Sequence, residues 1–199
     1  MAMHLKKNVK NQCEMDKRIS EAGFMAVSHC KTENECVLLA KRLVSKGIFS
    51  MEIPYRGEEN FNVADKCIRA VRESVPEMLI GGATAINPAI ARRAVRSGAH
   101  FVISPGFNIK TVQYCIHRAI PIYPGVATPS EIENALLFGL TTLKFFPAHC
   151  LGGVKTLSSF LGPFPNVRFI VSGGLNAENY QEYKNCKNVA AVSGSWLSE

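Results

Sequence analysis

No stretch of this 199-residue chain approaches the roughly 20 consecutive apolar residues that a membrane-spanning helix requires. The opening residues, Met1 to Lys10, carry Lys6, Lys7 and Lys10 with no apolar run behind them, so a secretory leader is not expected either. The seven cysteines (Cys13, Cys30, Cys36, Cys67, Cys115, Cys150 and Cys186) contain no C-x-x-C pair, which removes the usual zinc and dithiol signatures and points to a reduced, cytoplasmic protein. The five histidines are dispersed without an H-x-x-x-H pair beside a carboxylate, so no metal site is expected from spacing. The densest basic group, Lys6, Lys7, Lys10, Lys17 and Arg18, has no interleaved aromatics. The net charge of +7 therefore favours small anionic ligands over nucleic acid.

What is present is the balance of one globular domain spanning 1–199: 47% hydrophobic and 20% charged residues, with 15 Gly and 10 Pro. Short runs rich in Val, Ile and Phe alternate with stretches of helical periodicity, which is a β/α alternation. The expected strands are Phe24–Ser28, Phe49–Ile53, Met78–Gly82, Phe101–Ser104, Ile120–Tyr123, Thr142–Phe145, Arg168–Val171 and Ala190–Ser193. Helix starts are marked by Thr32 with Glu35, by Asn87-Pro88 and by Thr128-Pro129-Ser130-Glu131, and stops by Gly47, Gly98 and Gly139.

Eight strand–helix units predict a (β/α)8 barrel at the small end of its size range, ahead of an open doubly wound sheet. The open sheet is disfavoured because the first strand lacks a G-x-G-x-x-G turn, and polar or Gly-bearing strand ends recur along the whole chain. Residues 1–22 form an N-terminal extension, with a helix expected over roughly Val9 to Ala22 to close the barrel bottom. Little chain follows Ser193, so the last helix is missing or very short, leaving an apolar face that another subunit covers.

In such a barrel the chemistry sits where strands end. Glu52 interrupts the second strand and Lys144 the sixth, and neither residue type is normally buried without a partner. They read either as a structural ion pair, or as outward side chains with snorkelling stems, or as a lysine nucleophile with a carboxylate partner. Desolvation favours the neutral amine, which then attacks a carbonyl to form a Schiff base while Glu52 moves protons. Arg56 lies four residues past Glu52 and points the same way if the chain stays extended, placing a planar fork for a carboxylate; otherwise it is a solvated loop residue beside Glu58 and Glu59.

Thr84 offers a hydroxyl at the third strand's mouth, or is a simple turn residue. Ser172-Gly173-Gly174 and Ser193-Gly194-Ser195 follow the last two strands, where barrels of this kind hold phosphate on backbone N–H groups; bare turns would look the same. His149 and Cys150 stand beside the lysine strand as pocket or wall residues.

Lys144-Phe145-Phe146-Pro147-Ala148 with Gly152-Gly153 resembles the Schiff-base lysine motif of the bacterial 2-keto-3-deoxy-6-phosphogluconate (KDPG) aldolases, a family that also acts on 4-hydroxy-2-oxoglutarate (KHG). The resemblance extends through Met51-Glu52-Ile53 with Arg56, Gly81–Pro88, Ile103-Ser104-Pro105-Gly106, Pro124-Gly125, Thr128–Glu131, Ser172-Gly173-Gly174 and Gly194-Ser195-Trp196, in order from about Phe24 onward.

It implies a class I aldolase on a (β/α)8 barrel, a homotrimer with no cofactor beyond the covalent imine and no metal. Lys144 would form the imine, Glu52 would be the acid and base, and Arg56 and Thr84 would hold the pyruvate carboxylate. Gly173, Gly174 and Ser195 would bind phosphate, with Pro105, Phe146, Ser172 and Gly194 completing the substrate site.

The chain departs from the family where Gly82-Ala83-Thr84 replaces A-G-T, where His29 replaces an arginine after the first strand, and where Ser172 replaces threonine. Pro54 and Gly57 flank Arg56 in place of threonine, and the final helix is lacking. Competing expectations are a KHG aldolase, a 2-keto-3-deoxy-6-phosphogalactonate aldolase, a barrel that binds an anion without turnover, and a barrel isomerase or synthase that uses the phosphate loops without an imine, Lys144 only pairing with Glu52.

Overall fold

The computed structural model describes residues 2–199, with side chains described from residue 9 onward. Strands β1 (Phe24–Val27), β2 (Ser50–Pro54), β3 (Leu79–Ala83), β4 (Phe101–Ile103), β5 (Ile122–Tyr123), β6 (Gly125–Val126), β7 (Thr142–Phe145), β8 (Arg168–Ser172) and β9 (Val189–Gly194) form one all-parallel sheet in the order β5-β4-β3-β2-β1-β9-β8-β7-β6. Its two ends are halves of the same fifth barrel strand. Pro124 has no N–H to extend the ladder, so β5 pairs with β4 before it and β6 pairs with β7 after it, where the Lys144 N–H donates to the Pro124 carbonyl at 2.9 Å. The sheet closes through that proline into the expected (β/α)8 barrel, nine short strands counting as eight.

The helices α1 (Ala2–Ala22), α2 (Glu33–Ser45), α3 (Phe61–Ser74), α4 (Pro88–Arg96), α5 (Ile109–His117), α6 (Pro129–Leu136), α7 (Gly153–Phe160) and α8 (Tyr180–Lys184) follow the anticipated signals. Thr32 accepts from the Glu35 N–H, Asn87 caps Ala89 and Ile90 ahead of Pro88, and Thr128 with Glu131 forms a complete capping box. Helix α1 starts earlier than the sequence suggested. It lies under the barrel, where Met15 and Ile19 pack with Met25, Leu79, Phe101, Tyr123 and Ile170. Asn11 donates to the Ala119 carbonyl at 2.8 Å, and Gln12 accepts the Ile122 N–H at 3.0 Å. After β9 there is a single 3-10 turn, Ser195–Ser198, and a hollow of about 450 Å3 opens between it and α2, lined in part by Leu38, Leu39 and Arg42.

Strand register sorts the inward side chains into layers. In a barrel of this tilt the level plane advances about one residue per strand, so each layer takes four residues from alternate strands. The register groups Glu52, Ile103, Lys144 and Ser193 in one layer. Beneath it lie Met25, Gly81, Tyr123 and Ile170, and above it Val27, Ala83, Gly125 and Ser172. The layer below that of Met25 holds Ser50, Phe101, Thr142 and Ala191, so the charged pair is confined to the middle layer while hydroxyls occur at several levels.

Candidate active site

Within that middle layer Glu52 and Lys144 come from opposite walls and meet, Lys144 Nζ lying 3.3 Å from Glu52 Oε1. They are 3% and 6% exposed, so both side chains point inward and the outward-facing reading is excluded. Taking two ions out of water costs several kcal/mol each, which the pair recovers only in part by attraction. Only one carboxylate oxygen is used: Glu52 Oε2 is buried with no hydrogen-bond partner among the described residues. The lysine ammonium also lies 5.3 Å from the centre of the Phe146 ring, whose face stabilises a cation. This is a charged pair placed for proton transfer, with one oxygen left over.

The remaining candidates sit around it on the strand ends. Thr84 caps β3 at φ 59°, a left-handed conformation in which a β-branched residue is strained by about 1–3 kcal/mol. The neighbours that hold it there are hydrogen-bonded: Tyr55 N–H donates to the Ala83 carbonyl and Ala85 N–H to the Ile103 carbonyl. Ala83 turns its methyl into the barrel one layer above the Glu52–Lys144 pair, whereas a side chain on Gly82 would strike Ala94 on α4. The methyl that departs from the family pattern therefore narrows the mouth. Pro105 lies two residues past the end of β4, and Phe146 directly follows β7, both half-buried.

Gly173 and Gly174 follow β8 at φ 96° and 82°, and a Cβ on either would collide with Pro147, Phe146 or His149. The two loops are stitched together, Ala148 N–H donating to the Ser172 carbonyl and His149 N–H to the Gly173 carbonyl. The glycine N–H groups have no acceptor among the described residues, which leaves donors at the mouth for an anion. Ser172 is buried at the top of β8, register-paired with Ser193 on β9, and Gly194 and Ser195 continue β9 into the final turn. Cys150 and His149 are exposed on the loop after β7.

Arg56 is not brought against Glu52 or Lys144. The chain does run extended to Pro54, but Arg56 is exposed on the rim, in a hollow of about 180 Å3 shared with Ser28, His29, Lys31 and Asn60. His29 is also exposed and lines the hollow beside Ser195 as well, so it links the two rims. Among the described residues no three His, Cys, Asp or Glu side chains converge as a metal would require, and no helix is long and apolar enough to cross a membrane.

The family model for KDPG and KHG aldolase matches residues 15–199. The chain belongs to the KDPG and KHG aldolase family. It is 40% identical over 163 residues to the 2-dehydro-3-deoxy-phosphogluconate aldolase of Treponema pallidum, covering 82% of this chain and 76% of that protein. It is 38% identical over 167 residues to the KHG/KDPG aldolase of Escherichia coli K12, covering 84% and 76%.

Among solved structures, the KDPG aldolase of Legionella pneumophila superposes with a TM-score of 0.83 at 36% identity, over 89% of this chain and 84% of that one. That relative was captured with pyruvate as a covalent carbinolamine. As a member of this family the chain is a lyase, an aldolase on a (β/α)8 barrel.

Sequence reasoning singled out Ser193 only as the edge of a glycine cluster. Its inward parity with Ala191 and Ser195 was the available signal. What could not be read was the stagger that brings it level with Glu52 and Lys144.

Proposed function

We propose that this aldolase reversibly cleaves 2-keto-3-deoxy-6-phosphogluconate to pyruvate and glyceraldehyde 3-phosphate through an imine on Lys144. The observation that carries the reading is the buried Glu52–Lys144 contact at the barrel mouth. Glu52 takes a proton from Nζ, and the free amine attacks the C2 carbonyl. Glu52 returns the proton as water leaves the carbinolamine, then accepts the C4 hydroxyl proton as the C3–C4 bond breaks into the iminium electron sink. Glyceraldehyde 3-phosphate departs, and the enamine is protonated and hydrolysed to pyruvate and the free lysine. No external cofactor or metal enters these steps.

Arg56 and Thr84 bind the pyruvate carboxylate, Arg56 by swinging its flexible side chain inward from the rim. The Gly173 and Gly174 N–H groups and Ser195 bind the phosphate, and Ser172, Gly194, Pro105 and Phe146 shape the cavity between them. The whole chain works as one domain with residues 1–22 as its extension. It acts in the cytoplasm as a homotrimer, its partner a small oxo-acid phosphate and not nucleic acid. Ile86 and Ile109, more than half exposed near the starts of α4 and α5, give apolar surface for such contacts.

The E. coli relative is named for both substrates, and His29 puts a weaker cation near the distal end, so 4-hydroxy-2-oxoglutarate is the second reading. Ratios of kcat/KM for KDPG, its galactonate epimer and 4-hydroxy-2-oxoglutarate decide it. Ser195→Asp should cut the ratio of phosphorylated to unphosphorylated substrate at least about tenfold; an unchanged ratio removes Ser195 from the phosphate site.

A further inference from the structure

Two buried side-chain oxygens in the middle barrel layer have no hydrogen-bond partner among the described residues: Glu52 Oε2 and Ser193 Oγ. Ser193 is fully buried. In a four-residue layer drawn from alternate strands, Glu52 and Lys144 face each other across the axis, so Ser193 and Ile103 occupy the two flanks of the pair. One flank is apolar and the other carries a hydroxyl. An unpaired buried hydroxyl costs about 1–3 kcal/mol, and a methyl group in its place would cost nothing of the kind.

We propose that Ser193 is a positioning residue for Glu52, taking over its carboxyl group when Lys144 becomes an imine. The inference rests on the lysine chemistry proposed above. In the free enzyme the ammonium holds Glu52 through Oε1. Once Nζ is bonded to substrate it keeps a single N–H, whose charge is lost when the iminium becomes the enamine, and a second donor then holds the carboxyl group in place. The Ser193 hydroxyl donates to Oε2 while Glu52 is ionised. When Glu52 has accepted the substrate proton, the hydroxyl rotates and accepts instead, which a serine does because it is both donor and acceptor.

No other group in the layer itself supplies a hydroxyl. Val27 and Met25 on β1, Gly81 on β3 and Phe101 and Ile103 on β4 are apolar, and Ile170 and Ser172 on β8 lie in adjoining layers. Lys144 is the one other charged group in the layer; Tyr123 lies one layer below, with Asp16 of α1 beneath it.

The test is Ser193→Ala beside Ser193→Thr in the full-length enzyme. Ser193→Ala should fold at least as stably as the parent, because it removes an unpaired hydroxyl. Its kcat should fall about tenfold with little change in KM, and the acid limb of the kcat profile should move up by about half a pH unit. Ser193→Thr should restore both. Unchanged kcat and pH profile in folded Ser193→Ala overturns the proposal, as does a loss with no movement of the acid limb or no rescue by threonine. Borohydride trapping of pyruvate separates the two levels: trapping on Lys144 with kcat and pH profile unchanged in Ser193→Ala refutes only Ser193, while no trapping in the parent enzyme refutes the imine reading itself.

Discussion

The two ends of this barrel are built on opposite principles. At the floor, Ile19 and Met15 of α1 press into a layer of Met25, Tyr123 and Ile170, and Gln12 and Asn11 satisfy loose backbone groups. Tyr123 and Asn188 are exceptions there, the Tyr123 hydroxyl facing Asp16 and Asn188 Oδ1 both buried without a hydrogen-bond partner among the described residues, and burial pushes the pKa of both Asp16 and Tyr123 up. At the mouth, by contrast, charges are buried, a β-branched residue is strained at Thr84, and Glu52 Oε2 and Ser193 Oγ lack partners. Both ends hold one left-handed non-glycine residue, Thr84 above and Ala119 below, and both hold unpaired buried polar atoms; what separates them is the buried ion pair towards the mouth and the apolar packing of α1 against the floor.

Substitutions should divide along that line. Lys144→Met is expected to lower kcat by at least about 10^4-fold, measured on KDPG, and also to destabilise the fold because Glu52 is left as a buried charge without its partner. Lys144→Met with Glu52→Gln should recover much of the stability and none of the activity, a split that denaturant unfolding and steady-state kinetics together read. Glu52→Gln alone should cost about 10^2- to 10^4-fold in kcat.

At the floor the effects reverse. Phe101→Ala should lose about 3–5 kcal/mol of stability in urea titration, with little change in kcat/KM per folded molecule at a temperature where it remains native, since the Phe101 ring sits below the reacting layer. Thr84→Gly should change stability by less than about 1 kcal/mol, relief of strain offsetting added chain entropy, while the KM for pyruvate in the condensation direction rises several-fold. A large stability loss there would mean that Thr84 belongs to the structural end.

The smallest expected effect is on pH. Burial, with the nearby Arg72 and Arg18 guanidinium groups, holds His100 at the floor down to about 4, and its Nδ1 accepts the Ile80 N–H at 3.0 Å. Because the folded-state value lies below the ordinary 6.5, stability is full above that pH and declines as pH falls from 6.5 towards about 4. His100→Gln should flatten this part of the stability curve in urea titrations and leave the pH profile of activity alone.

Much of this division was legible in the residues. Punctuation by Thr128-Pro129, Asn87-Pro88 and the glycines Gly47, Gly98 and Gly139 located the helices, because caps and left-handed turns are local chemistry. Glu52 and Lys144 were visible because charge inside an apolar run violates a local rule. Three features were not visible because they depend on register between strands far apart in sequence: the split of the fifth strand at Pro124, the rim position of Arg56, and the level of Ser193. The length of α1 was also underestimated, since its face is defined by the barrel floor it covers.

The most direct test is borohydride reduction in the presence of pyruvate, followed by intact mass and peptide mapping of the parent enzyme and Lys144→Ala. A single reduced pyruvate adduct on the peptide containing Lys144, absent from Lys144→Ala, is the predicted result. Folded enzyme that gains no adduct, or gains it on another lysine, would contradict the assignment of the buried pair as the catalytic centre.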